Sequence, residues 1–99
     1  ALTEQFVLQE LTSNLNLTPY YYSAENSRGE IDFLLQGSSS VLPVEVKAEE
    51  NLRAKSLRAF CDKYHPAQAV RMSMSDYREQ DWMVNIPLYD VNRIREWLG

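Results

Sequence analysis

The apolar positions of this chain change period along its length, and the changes mark its elements. At the start, Leu2, Phe6, Val7, Leu8, Leu11 and Leu15 recur at helical spacing. That predicts an amphipathic helix ending between Ser13 and Asn16, with Thr3 as N-cap just ahead of Glu4. Glu4 precedes Leu11 by seven residues, which puts it close to the buried stripe, whereas Glu10 turns towards solvent. Leu17 to Tyr22 reads as a connection into a short strand, with Pro19 at its start where no ladder donor is needed. The three tyrosines fit either alternation across a sheet, with one or two in the core, or a platform for stacking bases.

After the polar turn or loop Ser23 to Gly29, the period becomes two. Glu30 to Leu35 and Val41 to Ala48 read as strands joined by a turn at Gly37 to Ser40, with Pro43 making the start of the second irregular or unpaired on one side. A helix is predicted from about Leu52 to Tyr64, with Leu57, Phe60, Cys61 and Tyr64 on one face and His65-Pro66 ending it. Ala67 to Met74 and Trp82 to Tyr89 predict further strands, separated by the polar stretch Ser75 to Asp81, and Pro87 favours an edge for the last one. Val91 to Leu98 closes as a short helix, with Asp90 as N-cap and Ile94, Trp97 and Leu98 inward. A strand meander followed by a crossover helix into more strands implies an α/β sandwich, a central mixed sheet flanked by helices.

The candidate chemistry lies where charges interrupt apolar strands. Residues two apart share a face, so Glu30 projects with Asp32, and Glu45 with Lys47. If the two strands pair, these groups converge into carboxylates and an ammonium at a sheet's end, a set whose oxygen ligands suit Mg²⁺. The plainer account is an ordinary same-face or cross-strand ion pair, worth about 0.2–1 kcal/mol when exposed, with the other acids solvated at an edge. Positive charge concentrates in the second helix, at Arg53, Lys55, Arg58 and Lys63, as either a solvated face or a phosphate-contacting one. Lone His65 has no Ser or Cys partner in a nucleophile motif.

Composition narrows the classes. A 99-residue chain that is 44% hydrophobic has room for one modest core. A formal net charge of -4 argues against generic affinity for nucleic acid, which would need a local basic strip. With Cys61 as the single cysteine there is no internal disulfide and no Cys/His cluster for zinc, which favours a cytoplasmic setting. Neither a run of about 18 apolar residues nor a signal peptide is present. The chain opens directly into helix pattern without a methionine, as expected for a domain cut from a longer protein.

Glu4 on the opening helix, Gly29-Glu30-Ile31-Asp32 on one strand and Glu45-Val46-Lys47 on the next resemble the PD-(D/E)xK nuclease-like superfamily, with its restriction-endonuclease-like fold. Over nearly the whole chain, residues Ala1 to Glu4, Glu30 to Leu34, Pro43 to Lys47, Lys55-Ser56-Leu57 and Asn85-Ile86-Pro87-Leu88-Tyr89 look like the C-terminal domain of a family of prokaryotic AAA-type ATPases. The resemblance implies a single domain over residues 1–99, with an ATP-binding part upstream, since no Gly-x-x-x-x-Gly-Lys-Ser/Thr occurs here. It further implies that Asp32 and Glu45 are metal-binding acids, that Glu4 completes the Mg²⁺ set, and that Lys47 orients or activates water. Glu30 is left as a supporting residue. The implied chemistry is phosphodiester hydrolysis of DNA or RNA, with Arg28, Arg53, Lys55 and Arg58 the cations placed to help. The alternative is a non-catalytic assembly or protein-recognition module of the ATPase, and a homo-oligomer is compatible with both.

Overall fold

A computed structural model of the chain describes residues 2–21, 33–48 and 55–99. Its elements are α1 (Leu2–Gln9) running on into a wider π turn (Glu10–Asn14), β1 (Phe33–Gln36), β2 (Val41–Lys47), α2 (Lys55–Tyr64), β3 (Val70–Ser73), β4 (Arg78–Glu79), β5 (Val84–Pro87) and a closing 3₁₀ segment (Leu88–Trp97). The strands form one five-stranded sheet in the order β1-β2-β3-β5-β4. β1 pairs antiparallel with β2, β3 runs parallel to both β2 and β5, and β4 returns antiparallel to β5. The class expected from the alternation of strand and helix periods, an α/β mixed sheet flanked by helices, is what the chain forms.

The first helix begins at Leu2, so Thr3 lies inside its first turn rather than capping it. Val7 and Leu11, four apart, are buried, while Leu2 and Phe6 face outward. The widening follows from local competition: the Thr12 hydroxyl donates to the carbonyls of Leu8 (3.0 Å) and Gln9 (3.2 Å), and the Leu15 N–H reaches back to Glu10 (3.0 Å). Asn16 ends the run in the left-handed conformation (φ 56°), one that Asn tolerates better than most residues. There the Leu17 N–H bonds to the Leu11 carbonyl (2.8 Å).

Alternation along the strands divides the sheet into two faces. Phe33, Leu35, Leu42, Val44, Val46, Val70, Met72, Val84 and Ile86 form one face, packed with Val7, Leu11 and Leu15 and with Leu88, Val91 and Ile94 of the closing segment. On the other face α2 lays Leu57 and Phe60 against Ala69 and Met83, with Leu34, Cys61 and Trp82 packed around them. Each such fully buried aliphatic or aromatic side chain stabilises the fold by about 1.5–3 kcal/mol. His65, with φ 51°, ends α2 before Pro66 and gives its N–H to Cys61 (2.9 Å).

Pro43 pairs with Leu34 on the β1 side, while the β3 ladder starts only at Val44, so its missing N–H costs no bond towards β3. Several local expectations are corrected. Tyr20 makes only an isolated antiparallel bridge to Leu34 and is 59% exposed, and Tyr21 is 72% exposed, so neither is in the core. Tyr21 rests against the Phe33 ring instead, with centroids 5.7 Å apart; Tyr22 lies outside the described residues. The polar stretch before Trp82 contains β4, which puts β5 inside the sheet rather than at its edge. Pro87 fits there because β4 pairs only with Val84 and Asn85. The closing helix is 3₁₀ and kinks at Asp90 (φ -114°, ψ 38°), whose carboxylate accepts Nε of Arg93 (2.7 Å). Among the described residues, no helix is long and apolar enough to cross a membrane.

Candidate functional site

Glu45 and Lys47 occupy the last turns of the pleat in β2 and project from the face that carries α2, opposite the main core. The register extends this row sideways. Glu45 stands beside Arg71, Arg71 beside Asn85, and Asn85 beside Arg78, while Lys47 stands beside Ser73. Glu45, Arg71, Ser73 and Asn85 are 2%, 6%, 0% and 1% exposed, a buried polar group in the middle of the sheet. Lys47 is half-buried and Arg78 exposed.

Asn85 organises this group. Its Oδ1 accepts from Arg71 Nε (2.9 Å) and Ser73 Oγ (2.6 Å), and its Nδ2 donates to the carbonyls of Ser75 (3.1 Å) and Asp76 (3.0 Å). The Ser75 N–H returns to Ser73 Oγ (3.2 Å). One amide therefore uses both of its lone pairs and both of its protons, aims Arg71 along the row towards Glu45, and ties down the loop that leads into β4. Burial is the main influence lowering the Arg71 guanidinium below its ordinary value; the Glu45 charge opposes it, and Arg78 adds a smaller push in the same direction as burial. Glu45 thus sits beside a guanidinium whose Nε is held by the neutral Asn85 amide.

The other expected residues are distributed as follows. Glu4 is half-buried in the first turn of α1, the helix packed on the opposite face. Lys55 and Arg58 are exposed on α2; Arg58 pairs with Asp62 (3.4 Å) and lies over the Trp82 ring, 5.0 Å from its centroid. Lys47 makes no ion pair among the described residues, so the same-face form of the plainer ion-pair account does not hold. Asp32, Glu30, Arg28 and Arg53 lie outside the described residues. Among the described residues, no three His, Cys, Asp or Glu side chains gather as metal ligands. The donor set that the motif would supply, carboxylate oxygens with neither thiolate nor imidazole, has the chemistry of a hard divalent cation such as Mg²⁺.

Reading the motif alone misses Arg71, Ser73 and Asn85. A signal for them exists: Arg71 and Ser73 alternate with Val70 and Met72, and Asn85 stands between Val84 and Ile86, the same period-two interruption that singles out Glu45 and Lys47. A second feature is a polar cleft of about 540 Å³, lined by Arg58, Cys61, His65, Glu79, Asp81 and Trp82 among others. Burial, with Asp62 beside it, pushes the Cys61 thiol above its ordinary value against a smaller opposing effect of Arg58, so it is a protonated and weakly nucleophilic group at neutral pH.

Comparison with protein families finds a match over residues 1–91 to a model described as "Domain of unknown function (DUF4143)". Comparisons with curated proteins and with solved structures find no match.

Proposed function

This chain belongs to the DUF4143 family, and on that premise we propose that it is a nuclease-like domain that acts on the phosphodiester backbone of DNA or RNA. In this reading it is the C-terminal module of a cytoplasmic AAA-type ATPase, with ATP bound by the upstream part. The observation that carries the proposal is the placement of Glu45 and Lys47 on one face of β2, next to a parallel ladder and at the end where strands of α/β sheets present their ligands. A buried carboxylate and a half-buried lysine there are costly for stability and useful for chemistry.

Glu45, with Asp32, would hold Mg²⁺, and the ion when bound would supply a Lewis acid for the phosphoryl oxygens and acidify its water. Lys47 offers ammonium donors to the oxygen that gains charge during attack. Arg71, aimed by Asn85, keeps a positive charge beside Glu45. That same neighbour favours a second reading, a non-catalytic module of the ATPase, because a carboxylate with a counter-charge beside it can be purely structural.

Titrating Mg²⁺ and Mn²⁺ into the domain by calorimetry, with parallel cleavage assays on labelled DNA and RNA, separates the two. The nuclease reading expects metal binding and cleavage in the parent chain, with cleavage lost in Asp32→Asn and Lys47→Ala. No metal binding, and variants indistinguishable from the parent, leaves the assembly role.

A further inference from the structure

Two cavities of opposite character meet at the turn that ends α2. The polar cleft of about 540 Å³ and an apolar groove of about 470 Å³ share His65, Pro66 and Ala67 as a common wall. The left-handed His65 (φ 51°) and the fixed ring of Pro66 keep this wall in shape. Just beyond it, the Val84 N–H bonds to the Ala69 carbonyl (3.0 Å) and fastens the segment to β5. The cleft is also bounded by Gln80 to Met83, immediately ahead of β5, so it opens at the start of the parallel strands, the end opposite Lys47. It is separate from the Glu45-Lys47 site.

The cleft carries a surplus of negative charge. Its arginine, Arg58, is matched by Asp62 (3.4 Å), while Glu79 and Asp81 have no cation partner among the described residues. Glu79 accepts the Tyr77 hydroxyl (2.9 Å), a neutral donor. Arg58 itself displays how a cation is held here: its guanidinium lies over the Trp82 ring, 5.0 Å from the centroid, with the Asp62 carboxylate beside it. Trp97, Glu79 and Asp81 offer a second cation the same two kinds of surface, an indole and a carboxylate. Across the wall, Leu34, Val41, Phe60 and Tyr64 line the groove, with Val41 37% and Tyr64 50% exposed. An open apolar groove beside an acidic cleft is complementary to a ligand that brings an apolar group and a basic one together.

We infer that this end of the fold is a docking surface for an extended basic segment of a partner protein, which seats an apolar side chain in the groove and an arginine in the cleft. A shared wall of three residues spans at most about 10 Å, so the two side chains stand two or three positions apart on an extended chain rising about 3.3 Å per residue. The carboxylates select a basic residue, and the indoles favour a planar guanidinium over an ammonium. The surface serves this role whether or not the chain cleaves nucleic acid.

The test titrates short alanine-serine peptides, each with one leucine and one arginine two or three positions apart in either order, into the chain and follows Trp82 and Trp97 fluorescence. The expected result is saturable binding by at least one spacing, weakened about two- to fivefold by Glu79→Gln or Asp81→Asn. Val41→Asp should weaken it at least about tenfold by putting a charge where the leucine side chain is buried. Tyr64→Ala, at the exposed rim of the groove, provides a second variant of that wall, and thermal unfolding checks that each protein is folded. Lys47→Ala leaves the affinity unchanged. No saturable binding by any peptide of the series overturns the inference, as does equal binding of a peptide with glutamate in place of arginine. Unchanged affinity in all four cleft and groove variants overturns it too. A dimer of the chain that Val41→Asp disrupts, with no peptide bound, overturns it and assigns the groove to a second copy.

Discussion

Replacing Asn85 with alanine should be among the most damaging single changes to this domain that leave its apolar core intact. The residue is 1% exposed and makes four hydrogen bonds, to Arg71, Ser73, Ser75 and Asp76. Truncation leaves Arg71 Nε as a buried charged donor without its acceptor, a loss of about 1.5–3 kcal/mol. The Ser73 hydroxyl can turn elsewhere, and the two loop carbonyls are only partly buried, so together they add roughly 1–2 kcal/mol rather than three full penalties. The sum is about 3–5 kcal/mol, a large share of the roughly 5–15 kcal/mol that holds a domain of this size folded. At about 4–8 °C per kcal/mol, the melting temperature should fall by at least roughly 12 °C. Urea unfolding followed through Trp82 and Trp97 fluorescence measures it. In the Asn85→Ala background, Ser73→Ala should cost less than it does alone, with a coupling on the order of 1 kcal/mol. A loss below about 1 kcal/mol for Asn85→Ala, or strict additivity with Ser73→Ala, would refute the picture of one amide organising the buried row.

Two further outcomes follow from local geometry. In Gly37→Ala the new Cβ would lie 2.6 Å from the Leu98 carbonyl oxygen and 2.8 Å from that of Ser40. Because both are backbone atoms, the variant should lose about 1–3 kcal/mol in urea melts, and an unchanged midpoint would show that the turn can yield. The Cys61 thiol, raised above its ordinary value by burial and Asp62, should alkylate more slowly with iodoacetamide near neutral pH than a free thiol does. The rate should climb only well into the alkaline range. The sign for stability follows from the same shift: the contribution is complete below the unfolded-state value and disappears as pH rises through the folded-state one. A neutral-pH rate equal to that of the unfolded chain would remove the burial argument.

Much of the architecture is readable from periodicity because each element carries its own repeat. The Glu45-Val46-Lys47 strand, the Leu57-Phe60 stripe and the His65-Pro66 stop all appear where a one-dimensional rule puts them, since they depend on spacing along the chain. The errors arise where neighbours in space decide. β4 has only two residues and no pattern of its own, existing because Arg78 and Glu79 find the open flank of β5. Tyr20 and Tyr21 have the composition of a buried strand, yet a single bridge at the sheet's edge leaves their rings outside.

The candidate site divides in the same way. By itself the sequence determined that Glu45 and Lys47 share a face of a strand in an α/β domain, because a pleat has period two whatever it pairs with. That Arg71 and Asn85 stand beside Glu45, and that Arg78 lies at the end of the same row, was decided only by the tertiary structure. Those residues are 26 to 40 positions away along the chain. No local repeat encodes the register of parallel strands joined by a helix, and that register alone sets which charges meet.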